Sequence, residues 1–233
     1  MKRTLVIFAR APQLGQVKRR LARGIGAGAA LAFYRRVLAT VLRRVARDPR
    51  WRTVLAVTPD RAPRAGRRWP MKLTRHGQGR GDLGCRMARS LARRGPVCII
   101  GADIPGLDAR RVWRAFQALA AAEFVFGPAE DGGYWLIGAR GGPLPYTLFD
   151  HVRWSTPHAL ADTLATLTNR RVAFADILAD VDDAAAYRDW LARNSDITAE
   201  DAEERRGRGV SASLRAKRSN PDSGSLRRLR SSR

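Results

Sequence analysis

Thr4-Leu-Val-Ile-Phe-Ala9, followed at once by Arg10-Ala-Pro-Gln-Leu-Gly15-Gln-Val-Lys18, governs how this chain is read. A short run rich in strand formers that breaks onto a polar loop with Pro and Gly predicts a buried strand opening at its carboxyl end. Further along, Thr53 to Val57 and Pro96-Val-Cys-Ile-Ile-Gly101 repeat the pattern, the second running into Ala102-Asp103-Ile104-Pro105-Gly106. Between the first two strands Leu31, Tyr34, Leu38, Val41, Leu42 and Val45 recur at three- and four-residue steps. Ala27 to Arg47 therefore reads as an amphipathic helix ending before Asp48-Pro49. Met71 to Arg75 reads as a short edge strand, and Asp82 as the cap of a helix through Arg94. A helix is expected over Asp108 to Ala121, with strands at Phe124 to Phe126, Tyr134 to Ile137 and Arg171 to Phe174. Thr156 caps a further helix with Pro157 at its first position, and Ala184 to about Arg193 forms the last. Such alternation predicts an α/β fold with a mixed, mainly parallel sheet and helices on both faces.

The 233 residues fit one large or two small domains. A single domain is expected over 1–196, with a basic, disordered tail over 197–233, where Ser, Arg, Gly and Pro leave little to bury. No stretch approaches the roughly 18 apolar residues of a membrane helix. Met1-Lys2-Arg3 imitates a signal peptide, but Arg10 ends the apolar run and no small-residue cleavage site follows, so a cytoplasmic protein is expected. Cys85 and Cys98 form no CxxC pair, which suggests neither a disulfide framework nor a zinc site.

The net charge of +23 invites a nucleic-acid partner. Of 44 basic residues, however, all but Lys2, Lys18, Lys72 and Lys217 are arginine, a skew that GC-rich coding produces whatever the function. Arg205 to Arg233 alone carries ten of them against one acid, Asp222. The others are scattered along helical patterns, as a solvated surface has them. A small-molecule partner is therefore preferred, and a nucleic-acid-binding protein stays as the alternative of another class.

Ligands of open α/β sheets settle beyond the carboxyl ends of strands, which singles out three places. The first is the loop after the opening strand, with Arg10, Gly15, Lys18, Arg19 and Arg20. A turn, a cation and the start of a helix suit phosphate, although neither the Walker nor the GxGxxG spacing is present and an ordinary basic loop fits as well. The second is Asp103, placed to hold Mg²⁺ or Mn²⁺ against a diphosphate or simply to cap a turn. The third is Asp131-Gly132-Gly133-Tyr134, where paired glycines admit a ligand and the aspartate serves as base, ligand or anchor; a hairpin turn is the plainer reading. His76, His151 and His158 with Ser155 or Cys85 make no recognised nucleophile signature. The six tryptophans show no stacking period.

Taken together, Phe8-Ala-Arg-Ala-Pro12 through Leu21, Gly81-Asp-Leu-Gly-Cys-Arg-Met87, Gly101-Ala-Asp-Ile-Pro-Gly-Leu107, Gly127 to Gly138, Trp154-Ser-Thr156 and Asp180-Val-Asp182 carry a resemblance. The ensemble, from about Lys2 to Trp190, resembles a family of small bacterial GT-A-fold glycosyltransferase-like proteins associated with arsenosugar biosynthesis. The chain departs from that pattern with Arg19 and Asp183 where the family usually has Thr, and with Cys85 where it often has an acid.

The resemblance implies a GT-A, nucleotide-diphospho-sugar-transferase-like fold and a metal-dependent glycosyl transfer from a nucleotide-diphosphate donor to a small-molecule acceptor. It places Arg10, Gly15, Lys18 and Asp82 at the nucleotide and its phosphates, Asp103 and Asp182 on Mg²⁺ or Mn²⁺, and Gly132, Gly133, Tyr134 and Trp154 toward the acceptor. Lys18 neutralises charge on the leaving diphosphate while Asp131 orients or deprotonates the attacking hydroxyl, so these two carry catalysis in this reading. The same motifs resemble the guanylyltransferases for phospholactate and the molybdenum cofactor, which implies nucleotidyl transfer with release of pyrophosphate as the runner-up. A degenerate transferase without turnover is a third reading. No signal of oligomeric state is present.

Overall fold

In the computed structural model, which describes residues 2–61, 69 and 71–193, the alternation becomes thirteen elements. They are β1 (Thr4–Arg10), α1 (Arg19–Ile25), α2 (Ala27–Val45), β2 (Arg52–Thr58), β3 (Arg75–Gly77), α3 (Leu83–Leu91) and β4 (Val97–Gly101), then α4 (Ala109–Ala118), β5 (Phe124–Pro128), β6 (Tyr134–Ala139), α5 (Ala159–Ala165), β7 (Val172–Phe174) and α6 (Ala184–Arg193). The strands form one sheet in the order β3-β2-β1-β4-β6-β5-β7. Only β6 runs against its neighbours; every other pairing is parallel.

Val97, Cys98, Ile99 and Ile100 of β4 are all buried, as are Leu5, Val6 and Ile7 of β1, which explains why these strands read as unbroken apolar runs. Val6, Ile99, Phe126 and Ile137 share one apolar cluster with Met87 and Leu91 of α3 and Ala159 of α5. Neither α2 nor α4 enters that cluster; these two helices pack against each other on the far face. Tyr187, at the start of α6, meets Phe33 of α2 edge to face at 5.1 Å.

Asp82 caps α3 as the sequence predicts, and Asp108 caps α4 in the same way. Asp82 accepts from the Cys85 N–H at 2.8 Å and Asp108 from the Arg111 N–H at 2.9 Å, each cap being worth about 1 kcal/mol. Elsewhere boundaries shift. The edge strand lies at Arg75–Gly77 rather than Met71 to Arg75, because only these residues come level with Leu55, Ala56 and Val57 of β2. Helices α3 and α4 stop at Leu91 and Ala118, about one turn short of Arg94 and Ala121. Thr156 does not cap α5: its hydroxyl donates to the Arg153 carbonyl and accepts from the His158 N–H, building a turn, and α5 begins at Ala159.

The chain divides into a compact unit, Met1–Tyr187, which carries the whole sheet, and a second, Arg188–Arg233. The expected boundary at 196/197 and the expected tail lie outside the described residues.

Candidate functional site

Strands β1 and β4 pair in parallel with Phe8 opposite Gly101, so the segments that follow them emerge side by side. From β1 the chain passes to β2 on one flank, and from β4 it crosses to β5 on the other, which makes the β1/β4 junction a switch point where ligands bind. The first and second places singled out in the sequence therefore meet.

Lys18 stands just before α1 in the left-handed region, at φ 44° and ψ 52°, which a residue with a side chain rarely adopts. Its ammonium is held on three sides: 2.9 Å from Asp103 Oδ2, 2.8 Å from Asp180 Oδ1 and 2.8 Å from Asp182 Oδ1. Two of its N–H donors hydrogen-bond Asp180 and Asp182, and the Asp103 carboxylate completes the ion-pair cluster. The Lys18 side chain is only 2% exposed, whereas that of Asp182 is 50% exposed. Burial alone would pull the ammonium down, but the charges of Asp103, Asp180 and Asp182 outweigh it and hold Lys18 well above the ordinary lysine range. Burial pushes Asp180 up to about 6 despite the adjacent Lys18, with Asp103 and Asp182 adding like-charge repulsion.

Asp180, absent from the expected ligand set, joins Asp182. Val181 between them is buried at 3% exposure, and the carboxylates on either side of it both reach the Lys18 ammonium. The Asp-Val-Asp spacing was the signal for it.

One cleft of about 970 Å³ collects this cluster with most of the expected site residues. Arg10, Lys18, Arg19, Arg20, Asp103, Asp180 and Asp182 line it, with Asp131, Gly133, Tyr134 and Trp154. Phe8, Leu83 and Met87 complete an apolar wall that sequence reasoning missed. Arg19 and Arg20 are exposed and make no ion pair among the described residues, so the rim is cationic. Tyr34, read from the sequence as one more apolar position of α2, also lines the cleft. Burial raises its hydroxyl well above the ordinary tyrosine range.

Three expected residues take other places. Gly15 supplies a left-handed turn at φ 71° and does not line the cleft. Asp82 does not line it either: its carboxylate accepts from the Cys85 N–H, which holds it below the usual carboxylate range. Gly132, at φ 81°, has the Pro157 carbonyl where a side chain would begin, so it admits backbone rather than ligand.

Asp131 is exposed in the cleft and accepts from the Gly133 N–H at 3.0 Å, within the connection that joins antiparallel β5 and β6. The hairpin reading and the site reading of Asp131 and Gly133 thus coexist. The Tyr134 ring packs edge-on against Phe126 at 5.3 Å, and its hydroxyl approaches Thr163 Oγ1 at 3.5 Å and Met87 Sδ at 4.0 Å. Tyr134 is thereby a wall of the cleft with its hydroxyl turned toward α5 and α3. The segment carrying Trp154 is tied down by Arg153, whose backbone N–H, Nε and NH2 all donate to Asp162 at 3.0, 2.9 and 2.8 Å. No histidine lines the cleft.

The donor set suits a hard divalent cation. Three carboxylates each bring one oxygen within 4.8 Å of the others, and oxygen-only sets are what Mg²⁺ and Mn²⁺ take. The ammonium centred among them marks a position where positive charge is accommodated.

Comparison with known proteins bears on this geometry. Residues 41–156 match the family model described as "Uncharacterized protein conserved in bacteria (DUF2064)". No curated protein sequence matches the chain. Among solved structures, a candidate nucleotide-diphospho-sugar transferase from Desulfovibrio desulfuricans G20 is similar at 26% identity and a TM-score of 0.77, over 83% of this chain and 88% of that one. The fold is accordingly that of the nucleotide-diphospho-sugar transferases, GT-A-like. Two further structures are more distant. The 4-diphosphocytidyl-2C-methyl-D-erythritol synthase of Anaerococcus prevotii has 11% identity and a TM-score of 0.49, over 75% of this chain and 86% of that one. The glucosyl-3-phosphoglycerate synthase of Mycobacterium tuberculosis, solved with Mg²⁺ and UDP, has 13% identity and a TM-score of 0.44, over 77% of this chain and 70% of that one.

Proposed function

We propose that this protein is a metal-dependent glycosyltransferase that moves a sugar from a nucleotide-diphosphate donor to a small-molecule acceptor. The observation that carries the reading is the meeting of Lys18 with Asp103, Asp180 and Asp182 beneath a rim of Arg10, Arg19 and Arg20. Carboxylates for a cation beside cations for an anion is the arrangement a metal-bridged diphosphate requires.

Asp103, Asp180 and Asp182 would hold Mg²⁺ or Mn²⁺. When bound, that ion supplies positive charge to the leaving diphosphate. Arg10, Arg19 and Arg20 bind the phosphates from the rim, and Lys18 adds its charge as the diphosphate departs. Asp131, exposed in the same cleft, takes the proton of the attacking hydroxyl or orients it. Gly133 positions Asp131 through its N–H, and Tyr134, Trp154, Phe8 and Leu83 give the acceptor an apolar wall that excludes water. We take 1–196 as the single catalytic domain, 197–233 as a basic tail, and the cytoplasm as the site of action. No described helix is long and apolar enough to cross a membrane.

The deciding experiment is product analysis. Protein is incubated with Mn²⁺, a panel of nucleotide-sugars and a panel of acceptors that includes the arsenosugar precursors implied by the resemblance. A released nucleoside diphosphate supports glycosyl transfer. Pyrophosphate released from a nucleoside triphosphate supports the guanylyltransferase-like runner-up. Polynucleotide binding that survives Asp103→Ala, with no turnover, supports the nucleic-acid alternative.

A further inference from the structure

We infer that Lys18 is a tethered counter-ion for the carboxylate triad, so that the cleft takes a divalent cation and a diphosphate together, as their chelate, and takes neither well alone. This rests on the reading above, and it adds which species is the ligand.

The argument is one of charge partners. The Lys18 ammonium donates to Asp180 and Asp182 and pairs with Asp103, and its side chain is only 2% exposed. A free divalent ion seeking the same oxygens competes with a resident cation. Among the described residues no other carboxylate pairs with the Lys18 ammonium, and the groups on the rim beside it are Arg10, Arg19 and Arg20. A buried ammonium released among cations is unfavourable.

A diphosphate arriving alone fares no better. The lysine it would bind is already neutralised, and the three carboxylates around that lysine, all more exposed than it, repel the newcomer. When the two arrive together the exchange balances: the carboxylates gain a cation as they lose Lys18, and Lys18 and the rim arginines gain the phosphates. Each component thus raises the affinity for the other by the same factor, as linkage requires. The left-handed backbone of Lys18, at φ 44°, is the strained position from which the side chain makes this exchange.

Isothermal titration of the full chain tests it with three probes: Mn²⁺ alone, inorganic pyrophosphate alone after chelator treatment, and the preformed Mn²⁺–pyrophosphate complex. The wild type should bind the complex at least about tenfold more tightly than either component. Lys18→Met should tighten Mn²⁺ alone by about tenfold and erase the advantage of the complex, and Asp103→Asn in that background should abolish the Mn²⁺ site. Equal affinity of the wild type for Mn²⁺ and for the complex overturns the proposal without recourse to any variant. Equal Mn²⁺ affinity in wild type and Lys18→Met overturns it too. In either case, binding of the complex leaves the transferase reading standing, whereas failure of all three probes removes both.

Discussion

The Tyr34 hydroxyl closes on both backbone polar groups of Arg10, donating to its carbonyl at 2.8 Å and accepting from its N–H at 3.0 Å. One buried side chain of α2 thereby fixes the point where β1 opens into the cationic loop. Tyr34→Phe leaves that carbonyl and N–H without this partner, and the expected cost is about 1–3 kcal/mol in urea unfolding. Pyrophosphate affinity should fall with it, because Arg10 is no longer held at the rim. An unchanged denaturation midpoint would show that water replaces the hydroxyl at no cost.

Asp103 binds Lys18 directly and belongs to the triad, so Asp103→Asn keeps the shape and removes the charge. Turnover with Mn²⁺ should drop by about 10² to 10³-fold. The Lys18 ammonium retains Asp180 and Asp182, so the fold should survive; circular dichroism separates lost activity from lost structure.

Hydrogen bonds from Arg153 hold the Asp162 carboxylate well below the usual aspartate range. A depressed folded value means that this clamp contributes stability above the unfolded aspartate value of about 3.9 and loses it as pH falls further. Melting temperature should therefore decline more steeply below about pH 4 in the wild type than in Asp162→Asn. Parallel curves for the two proteins would count against the clamp.

Two glycines with left-handed backbones separate strain from collision. At Gly15, with φ 71°, an added Cβ meets nothing within 4 Å, so Gly15→Ala should cost only the backbone term of about 1 kcal/mol. At Gly132, with φ 81°, the Pro157 carbonyl occupies the space. Gly132→Ala should destabilise by about 2–4 kcal/mol and disturb Trp154 fluorescence, since the same segment carries that indole.

Cys85 is exposed and Cys98 is buried, where burial pushes its thiol well above the usual range. A thiol reagent should label Cys85 alone in the native protein and both cysteines in denaturant. Rapid labelling of both without denaturant would mean that β4 opens readily.

Much of the fold was written in the local pattern. β1, β2, β4 and α2 fell within a residue or two of their expected spans, because strands buried on both faces and a half-buried helix leave periodicities that short-range inspection detects. Boundaries failed where side chains chose among local partners: Thr156 gave its hydroxyl to Arg153 and His158 instead of capping α5. Strand order was invisible, since apolar runs look alike and nothing local says that β6 inserts between β4 and β5.

The candidate site divides along the same line. Lys18, Asp103 and Asp131 were legible because each follows an apolar strand, and the carboxyl end of a strand is where polar chains face solvent at a sheet's edge. Their assembly was not. Asp180 and Asp182 reach Lys18 across 162 and 164 positions of chain, Tyr34 looked like a packing residue, and Asp82 was expected at the phosphates but gives its carboxylate to the Cys85 N–H outside the cleft. Periodicity records how deeply a residue is buried; which charge stands beside which depends on how sheet and helices close in three dimensions. Only that closure put one ammonium among three carboxylates.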